Sequence, residues 1–281
     1  MSRTFILGWN GYVGKIILEG LRNKNISAVK VGRNENSDIK IDLNSLDSNK
    51  LESLLPGDKF IFLSGICNPN VCNESYDLAY AVNVTNTKIL LQEVLDRGLK
   101  VLFASSDVVY GDTDIVVNEK SQINPCFPYA EMKAEIEISF STHPNFFVMR
   151  MSNIASLNDN TLSYLFACSK DNSKASIYHP FIRTPAYAND LTDFVCNFIE
   201  SESSIFQKLV NICGPSFVSN INLAKIFSNN LSLNYEIATP SKAFLDSRPQ
   251  KILMQSLYLD KIIKRNTINM CDQLNLDLSS L

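Results

Sequence analysis

Ser106, Tyr129 and Lys133 have the side-chain types and the order that suit proton transfer at a carbonyl group. Tyr129 and Lys133 stand at i and i+4, so on a helix they share one face, one turn above the other. An ammonium beside a phenol stabilises the phenolate, and this spacing predicts a Tyr129 pKa lowered from its reference of about 10. A tyrosine tuned in this way can protonate a carbonyl oxygen as hydride reaches the carbon. Ser106, within Ser105-Ser106-Asp107, would hold that oxygen by a hydrogen bond. Chance alone produces many Tyr-x-x-x-Lys pairs on surface helices. This one gains meaning from the serine at a strand end upstream and from a glycine-rich turn near the start of the chain.

That turn is Gly8-Trp-Asn-Gly11-Tyr12-Val13-Gly14. It follows a short apolar strand and opens a helix, the context a dinucleotide fingerprint requires. Gly8 permits the tight turn, Gly11 lets the backbone approach a pyrophosphate, and Gly14 lets helix and strand pack closely. The helix N-terminus then presents unpaired N–H groups to the phosphates. The second strand ends Val29-Lys-Val-Gly32-Arg33-Asn34, with no acid to hold a ribose 2′-hydroxyl. Arg33 suits a 2′-phosphate instead, so NADP(H) is expected over NAD(H). Asp42 and Leu43, after another short strand, are placed to reach the adenine.

Short apolar runs alternating with amphipathic segments carry these residues, a βαβ pattern. Strands are predicted at Thr4–Leu7, Ala28–Val31, Phe60–Ser64, Lys100–Ala104, Phe146–Met151 and Leu209–Ile212. Helices are predicted at Val13–Asn23, Tyr76–Arg97, Tyr129–Ser141 and Asn189–Glu200. Strands that are apolar on both faces imply a parallel sheet covered on each side. The expected fold is therefore α/β, a Rossmann-type doubly wound parallel sheet with a smaller, discontinuous C-terminal substrate domain. Residues 1–155, with 186–213 returning to the sheet, make the dinucleotide domain; 156–185 and 214–281 make the substrate domain.

Composition limits the alternatives. The 281 residues are 45% hydrophobic and 20% charged, as in ordinary globular chains, and are long enough for a full core. A net charge of −3 gives no electrostatic case for nucleic acid or anionic membranes. No apolar run approaches the ~20 residues that cross a bilayer, and the start of the chain lacks the marks of a signal peptide, so a cytoplasmic protein is expected. The seven cysteines show no C-x-x-C spacing, and His143 and His179 lie far apart. Neither a disulfide framework nor a metal site is suggested.

These residues resemble the extended short-chain dehydrogenase/reductase superfamily, and within it the dTDP-4-dehydrorhamnose reductase-like branch. The resemblance spans nearly the whole chain. It rests on the glycine turn, Val71-Cys-Asn-Glu74, Ala81-Val-Asn83-Val, Ser105-Ser106-Asp107-Val-Val-Tyr110-Gly, Tyr129-x-x-x-Lys133, Arg183-Thr-Pro-Ala-Tyr-Ala-Asn-Asp190 and Arg248-Pro249. It implies that Ser106, Tyr129 and Lys133 are catalytic, with Lys133 also on the nicotinamide ribose. Asn83 would support that lysine, and Ser64 and Gly65 would contact the cofactor. Ser106, Asp107 and Asn153 would meet the substrate, with Arg183 and Arg248 on its phosphates, where guanidinium groups bind bidentately; for either arginine the alternative is a salt bridge between domains. The helices Tyr76–Arg97 and Tyr129–Ser141 would pair in a homodimer.

Two departures bear on the reaction. Dehydratases of this superfamily carry Thr-Asp-Glu where this chain has Ser106-Asp107-Val108, so dehydration is disfavoured. The reductase branch usually has an aromatic residue at position 108, and Pro180-Phe-Ile-Arg183 differs from its Asp-Gln segment, which leaves the sugar open. The expectation is an NADPH-dependent reductase of a 4-keto-6-deoxy nucleotide-diphosphate sugar, serving deoxysugar or surface-polysaccharide synthesis. Its rivals are a nucleotide-sugar epimerase with the same Ser-Tyr-Lys set and a non-catalytic NADP-binding regulatory subunit.

Overall fold

The computed structural model describes residues 2–46, 51–201 and 207–280. The expected domain ranges also take in Met1, 47–50, 202–206 and Leu281, which lie outside the described residues. In chain order, β1 (Thr4–Leu7), α1 (Tyr12–Asn23), β2 (Val29–Gly32), β3 (Ile39–Lys40) and β4 (Lys59–Phe62) come first. A helical run follows: α2 (Pro69–Glu74), α3 (Tyr76–Tyr80), a π-helical stretch Ala81–Asn86, and α4 (Thr87–Asp96). Next are β5 (Lys100–Ser106), a 3₁₀ turn Asp107–Tyr110, β6 (Val116–Val117), α5 (Pro128–Phe140) and β7 (Phe146–Met151). The second half holds β8 (Ile154–Ala155), α6 (Asn160–Lys170), β9 (Ala175–Tyr178), β10 (Ile182–Arg183), β11 (Ala186–Tyr187), α7 (Ala188–Glu200) and β12 (Leu209–Ile212). It ends with β13 (Val218–Ser219), α8 (Asn220–Leu231), β14 (Tyr235–Ala238), α9 (Lys242–Asp246), β15 (Leu253–Met254), α10 (Leu259–Ile263) and α11 (Met270–Ser279).

Seven parallel strands form the central sheet in the order β12-β7-β5-β4-β1-β2-β3. The order reverses between β1 and β4, and a crevice opens at their carboxyl ends, where such sheets bind ligands. Side-chain alternation builds two cores. Phe5, Leu7, Phe60, Phe62 and Phe103 face α4 and α5, meeting Leu90, Val94, Met132 and Ile136. Ile6, Ile61, Leu102 and Phe147 face the other way, onto Ile17 and Leu21 of α1 and Leu191, Phe194 and Phe198 of α7. With both faces buried, each strand reads as a continuous apolar run.

The predicted strands all form, three of them with the expected ends. β5 runs two residues past Ala104 because its pairing with β7 continues through Ser105 and Ser106. The single helix expected over Tyr76–Arg97 is α3, the π-helical stretch and α4. Within it the Thr87 hydroxyl donates to the Val82 carbonyl, five residues back, at 2.8 Å. Pro128 opens α5 at a position where its missing N–H costs nothing.

A third core gathers Leu162 and Leu165 of α6, Ile177 of β9, Phe227 of α8 and Leu274 of α11. The parallel pair β9–β14 runs beside it. From the last third of the chain, β15 reaches back to pair with β6, and Leu259 and Ile263 of α10 pack on the second face of the central sheet.

Candidate active site

The glycine turn is built as a cradle. Gly8 has φ +89, a left-handed conformation natural to glycine, and a Cβ there would sit 2.9 Å from Ser64 Oγ. A Cβ on Gly14 would lie 2.4 Å from the Gly8 carbonyl oxygen, so α1 packs onto the turn backbone to backbone. Gly11 differs: its Cβ would meet only the Gly8 oxygen, at 3.4 Å, leaving its other side open. Gly11 also caps α1 without a side-chain hydrogen bond, and no acid stands in the first turn. Uncapped N–H groups at a helix start, with open space before them, fit a pyrophosphate.

A cleft of about 680 Å³ lies over this turn. Gly8, Gly11, Tyr12, Val13 and Gly14 line its floor; Arg33, Asp42, Leu43, Ser64 and Gly65 line the rest. Arg33 is exposed at the end of β2. The Asp42 carboxylate accepts from the Asn44 backbone N–H at 2.9 Å, and this bond, with the Arg33 charge, holds it below the ordinary carboxylate range. Asn83 sits behind the cleft. Its Oδ1 accepts from Ile66 N at 2.7 Å and its Nδ2 donates to Ile66 O at 3.0 Å, fixing the peptide that follows Gly65. It makes no hydrogen bond to Lys133, so the support expected for the lysine goes to the β4–α2 loop instead.

Ser106 ends β5, and Tyr129 and Lys133 stand in the first two turns of α5. Lys133 is buried, donates to the Ala104 carbonyl oxygen at 2.8 Å, and holds its Nζ 5.8 Å from the Tyr129 ring centre. Burial lowers its pKa, against the opposing pull of Cys67, Glu137 and Cys72. Tyr129 behaves opposite to the sequence expectation: its pKa is raised well above that of a free phenol. Burial is the main cause, followed by the Cys67 thiol, which meets its hydroxyl. The ammonium at i+4 gives one of its three N–H groups to Ala104, and the phenolate is disfavoured chiefly by desolvation. Tyr129 is therefore held as a protonated phenol, the form that can donate.

A second cavity, about 480 Å³, lies toward the third core. Asn153, Arg183 and Arg248 line it, together with Tyr178, Phe181 and Phe244. Arg248 stacks on Phe244 at 3.6 Å and donates from Nη2 to Asn70 Oδ1 at 2.7 Å, bridging to the start of α2. Arg183 is more constrained. Its Nη1 donates to the carbonyl oxygens of Ile182 and Gln250 at 2.8 and 3.0 Å, and its Nη2 to that of Pro249. With three carbonyls taking three of its five N–H groups, Arg183 pins the 249–250 segment while lining the cavity. Neither Ser106 nor Asp107 lines this cavity; Asp107 is buried next to the serine. Tyr12 joins the two spaces: it lines both, and its hydroxyl donates to the Ile154 carbonyl oxygen at 2.9 Å.

Sequence reasoning missed Cys67, the aromatic wall of Tyr178, Phe181 and Phe244, and the Arg248–Asn70 bridge. Cys67 carried a usable signal, since it follows Ser64-Gly65 by two residues. The aromatic wall carried none, because Tyr178 ends β9, Phe181 lies in the loop after it, and Phe244 comes from α9, far along the chain.

A doubly wound sheet with a glycine cradle at its switch point, a serine at a strand end and a Tyr-x-x-x-Lys helix defines the extended short-chain dehydrogenase/reductase class. Residues 2–262 match the family model described as the RmlD substrate binding domain, and the chain belongs to that family, in the RmlD-like branch of the superfamily. Solved structures share the fold over their whole length at low identity. A dTDP-4-dehydrorhamnose reductase of Clostridium acetobutylicum superimposes with a TM-score of 0.79 at 19% identity, covering 99% of this chain and 100% of that one. MoeE5, solved with UDP-glucuronic acid and NAD, gives 0.80 at 18%, covering 99% of each chain. A UDP-glucuronic acid 4-epimerase of Bacillus cereus, with UDP-glucuronic acid and NAD, gives 0.81 at 15%, covering 98% of each. Among the described residues no helix is long and apolar enough to cross a membrane.

Proposed function

We propose that this protein is an NADPH-dependent reductase of a 4-keto-6-deoxy nucleotide-diphosphate sugar. The observation that carries the reading is Tyr129, half-buried and held protonated on α5 with Lys133 Nζ 5.8 Å from its ring, where α5 packs on β5, the strand that ends at Ser106. The same chain carries a dinucleotide cradle and a cavity lined by arginines and aromatic rings. A bound nicotinamide cofactor would supply the hydride. Gly8, Gly11, Tyr12, Val13 and Gly14 cradle its pyrophosphate, with Ser64 and Gly65 opposite. Arg33 meets the 2′-phosphate, and Asp42 and Leu43 border the adenine. Asn83 keeps the Gly65–Ile66 peptide in place, and Lys133 serves the nicotinamide ribose as well as Tyr129.

On the substrate side, Tyr129 gives its proton to the sugar carbonyl oxygen, and Ser106 orients that oxygen. Arg248 and Asn153 receive the diphosphate, and Arg183 adds positive charge without releasing its carbonyls. Binding energy from the remote nucleotide then positions the reacting carbon. The division into a dinucleotide domain (1–155 with 186–213) and a substrate domain (156–185 and 214–281) is part of the same proposal, as is a homodimer. Deoxysugar or surface-polysaccharide synthesis is the setting in which such a product is used.

The neighbours solved with NAD and UDP-sugars favour one second reading, an epimerase with the same Ser-Tyr-Lys set. The test measures NADPH oxidation by the purified protein with 4-keto-6-deoxy derivatives of dTDP- and UDP-sugars, and measures the cofactor carried through purification. Stoichiometric NADPH consumption supports the reductase. Tightly retained NAD with interconversion of UDP-sugars and no net oxidation would replace it with the epimerase. Inertness in both assays, with cofactor still bound, would leave the non-catalytic NADP-binding regulator.

A further inference from the structure

Asp107 stands directly behind the catalytic serine and is only 4% exposed. Its Oδ1 accepts from Ser106 Oγ at 3.2 Å and its Oδ2 from Ser152 Oγ at 3.1 Å. Arg183 Nε lies 3.7 Å from the same Oδ2 and is the cation paired with it among the described residues. The other titratable groups that feel the Asp107 charge are Tyr129 on α5 and Cys213 after β12. Asp112 faces Arg183 from the far end and accepts the N–H groups of Gln250 and Lys251, both at 2.7 Å.

Arg183 is also a wall of the arginine-lined cavity. Its fork is committed to three carbonyls, so it cannot swing toward a ligand without freeing the 249–250 segment. An anion in the cavity and the Asp107 carboxylate thus face one immobile guanidinium from two sides. A buried carboxylate with a single cation depends on that cation to stay ionised. Burial already pushes the Asp107 carboxyl up despite Arg183, and a further negative charge beside that guanidinium acts in the same direction.

We propose that Asp107 and Arg183 are positioning residues that couple an anionic substrate group in the cavity to the direction of the Ser106 hydroxyl. Without an anion, ionised Asp107 takes the Ser106 hydrogen. A diphosphate beyond Arg183 competes for the guanidinium, and Asp107 takes up one proton from solvent. The Ser106 O–H is then free to turn to the substrate carbonyl oxygen. Neutral Asp107 also withdraws one of the negative charges that hold the Tyr129 proton, which eases its transfer. The inference rests on the nucleotide-diphosphate sugar reading above and adds to it a means by which the remote phosphates prepare the catalytic face.

The test is calorimetric titration of the NADP-loaded protein near neutral pH with UDP-glucose, dTDP-glucose and GDP-mannose, whose diester diphosphates do not titrate there. Each titration is run in buffers of different ionisation enthalpy, and the slope gives the protons taken up. The expected result is uptake approaching about one proton in the wild type and none in Asp107→Asn with binding retained. Binding without uptake, or uptake that persists in Asp107→Asn, overturns the coupling and leaves the substrate class standing. Absence of binding by all three overturns the nucleotide-sugar reading and the coupling with it. If Asp107→Asn does not fold, Ser152→Ala decides. It removes a hydrogen bond to the ionised carboxyl, so half-maximal uptake should move to higher pH, and an unmoved midpoint overturns the proposal.

Discussion

The two spaces that meet at Tyr12 are built by different means. The cleft over the glycine turn is made of backbone: Gly8, Gly11 and Gly14 within seven residues, with Ser64 and Gly65 on the adjacent strand end. The arginine-lined cavity is made of residues from α1 and from many elements and loops between Asn153 and Met270. Arg183 hangs on three carbonyls, and Arg248 lies between a ring and an asparagine. A backbone cradle tolerates no added atom at Gly8 or Gly14 yet asks little of side-chain identity elsewhere. A side-chain cavity can be retuned residue by residue, which suits a fold whose relatives keep one kind of cofactor and handle different sugars.

Tyr129→Phe, outside the lining of both spaces, should have the largest effect. Turnover should fall by ~10²–10⁴-fold with cofactor affinity nearly intact, because only the proton donor is lost. Stopped-flow reduction beside fluorescence titration of NADPH checks both, and a mutant keeping more than about a tenth of wild-type kcat would sink the general-acid role. Within the cradle, two glycines should separate. Gly14→Ala drives a Cβ into the Gly8 oxygen and Trp9 backbone, and should cost about 1–3 kcal/mol in chemical denaturation along with cofactor binding. Gly11→Ala meets only one atom, at 3.4 Å, and should lose cofactor with stability unchanged. Equal destabilisation by both would mean that the cradle is not the open anion site described.

Arg33→Ala should weaken NADPH by at least about tenfold and NADH hardly at all, since a charge-assisted contact contributes roughly 1.5–3 kcal/mol. Equal losses in titrations with both cofactors would turn Arg33 away from the phosphate. On the side-chain cavity, Arg248→Ala should raise KM for the nucleotide sugar several-fold, on the order of 1–2 kcal/mol, and leave NADPH binding alone. Steady-state kinetics with each substrate varied in turn reads this directly; a matching rise in the NADPH constant would merge the two spaces into one.

The smallest effect concerns stability and pH. Burial raises the Asp107 carboxyl above its ordinary value near ~3.9, so the folded state holds more protons than the unfolded state in the window just above it. Stability from this group is therefore full at low pH and declines as pH rises through the raised value. Within that window the decline has a slope of at most about 1.4 kcal/mol per pH unit, the limit set by one proton. Asp107→Asn should remove it, and parallel curves for mutant and wild type in urea melts across that range would contradict the expectation.

Much of the cradle was legible because its determinants are local. Three glycines at fixed spacing after an apolar strand and before an amphipathic helix specify a turn through backbone sterics, and strands buried on both faces announce a parallel sheet. The Tyr-x-x-x-Lys pair was legible for the same reason, as spacing on one helix. What spacing could not convey was the electrostatic sign at Tyr129. That depends on desolvation by the surrounding elements and on Cys67, brought from a loop after β4. Nor could it show that Arg183 is held by carbonyls 66 and 67 residues away while Arg248 is left facing the cavity. Residue types and local periodicity determined the sheet, the turn and the spacing of Tyr129 and Lys133 on one helix. Burial and long-range hydrogen bonding, which exist only once the chain has closed on itself, decided which charges are free, which are spent, and which proton Tyr129 keeps.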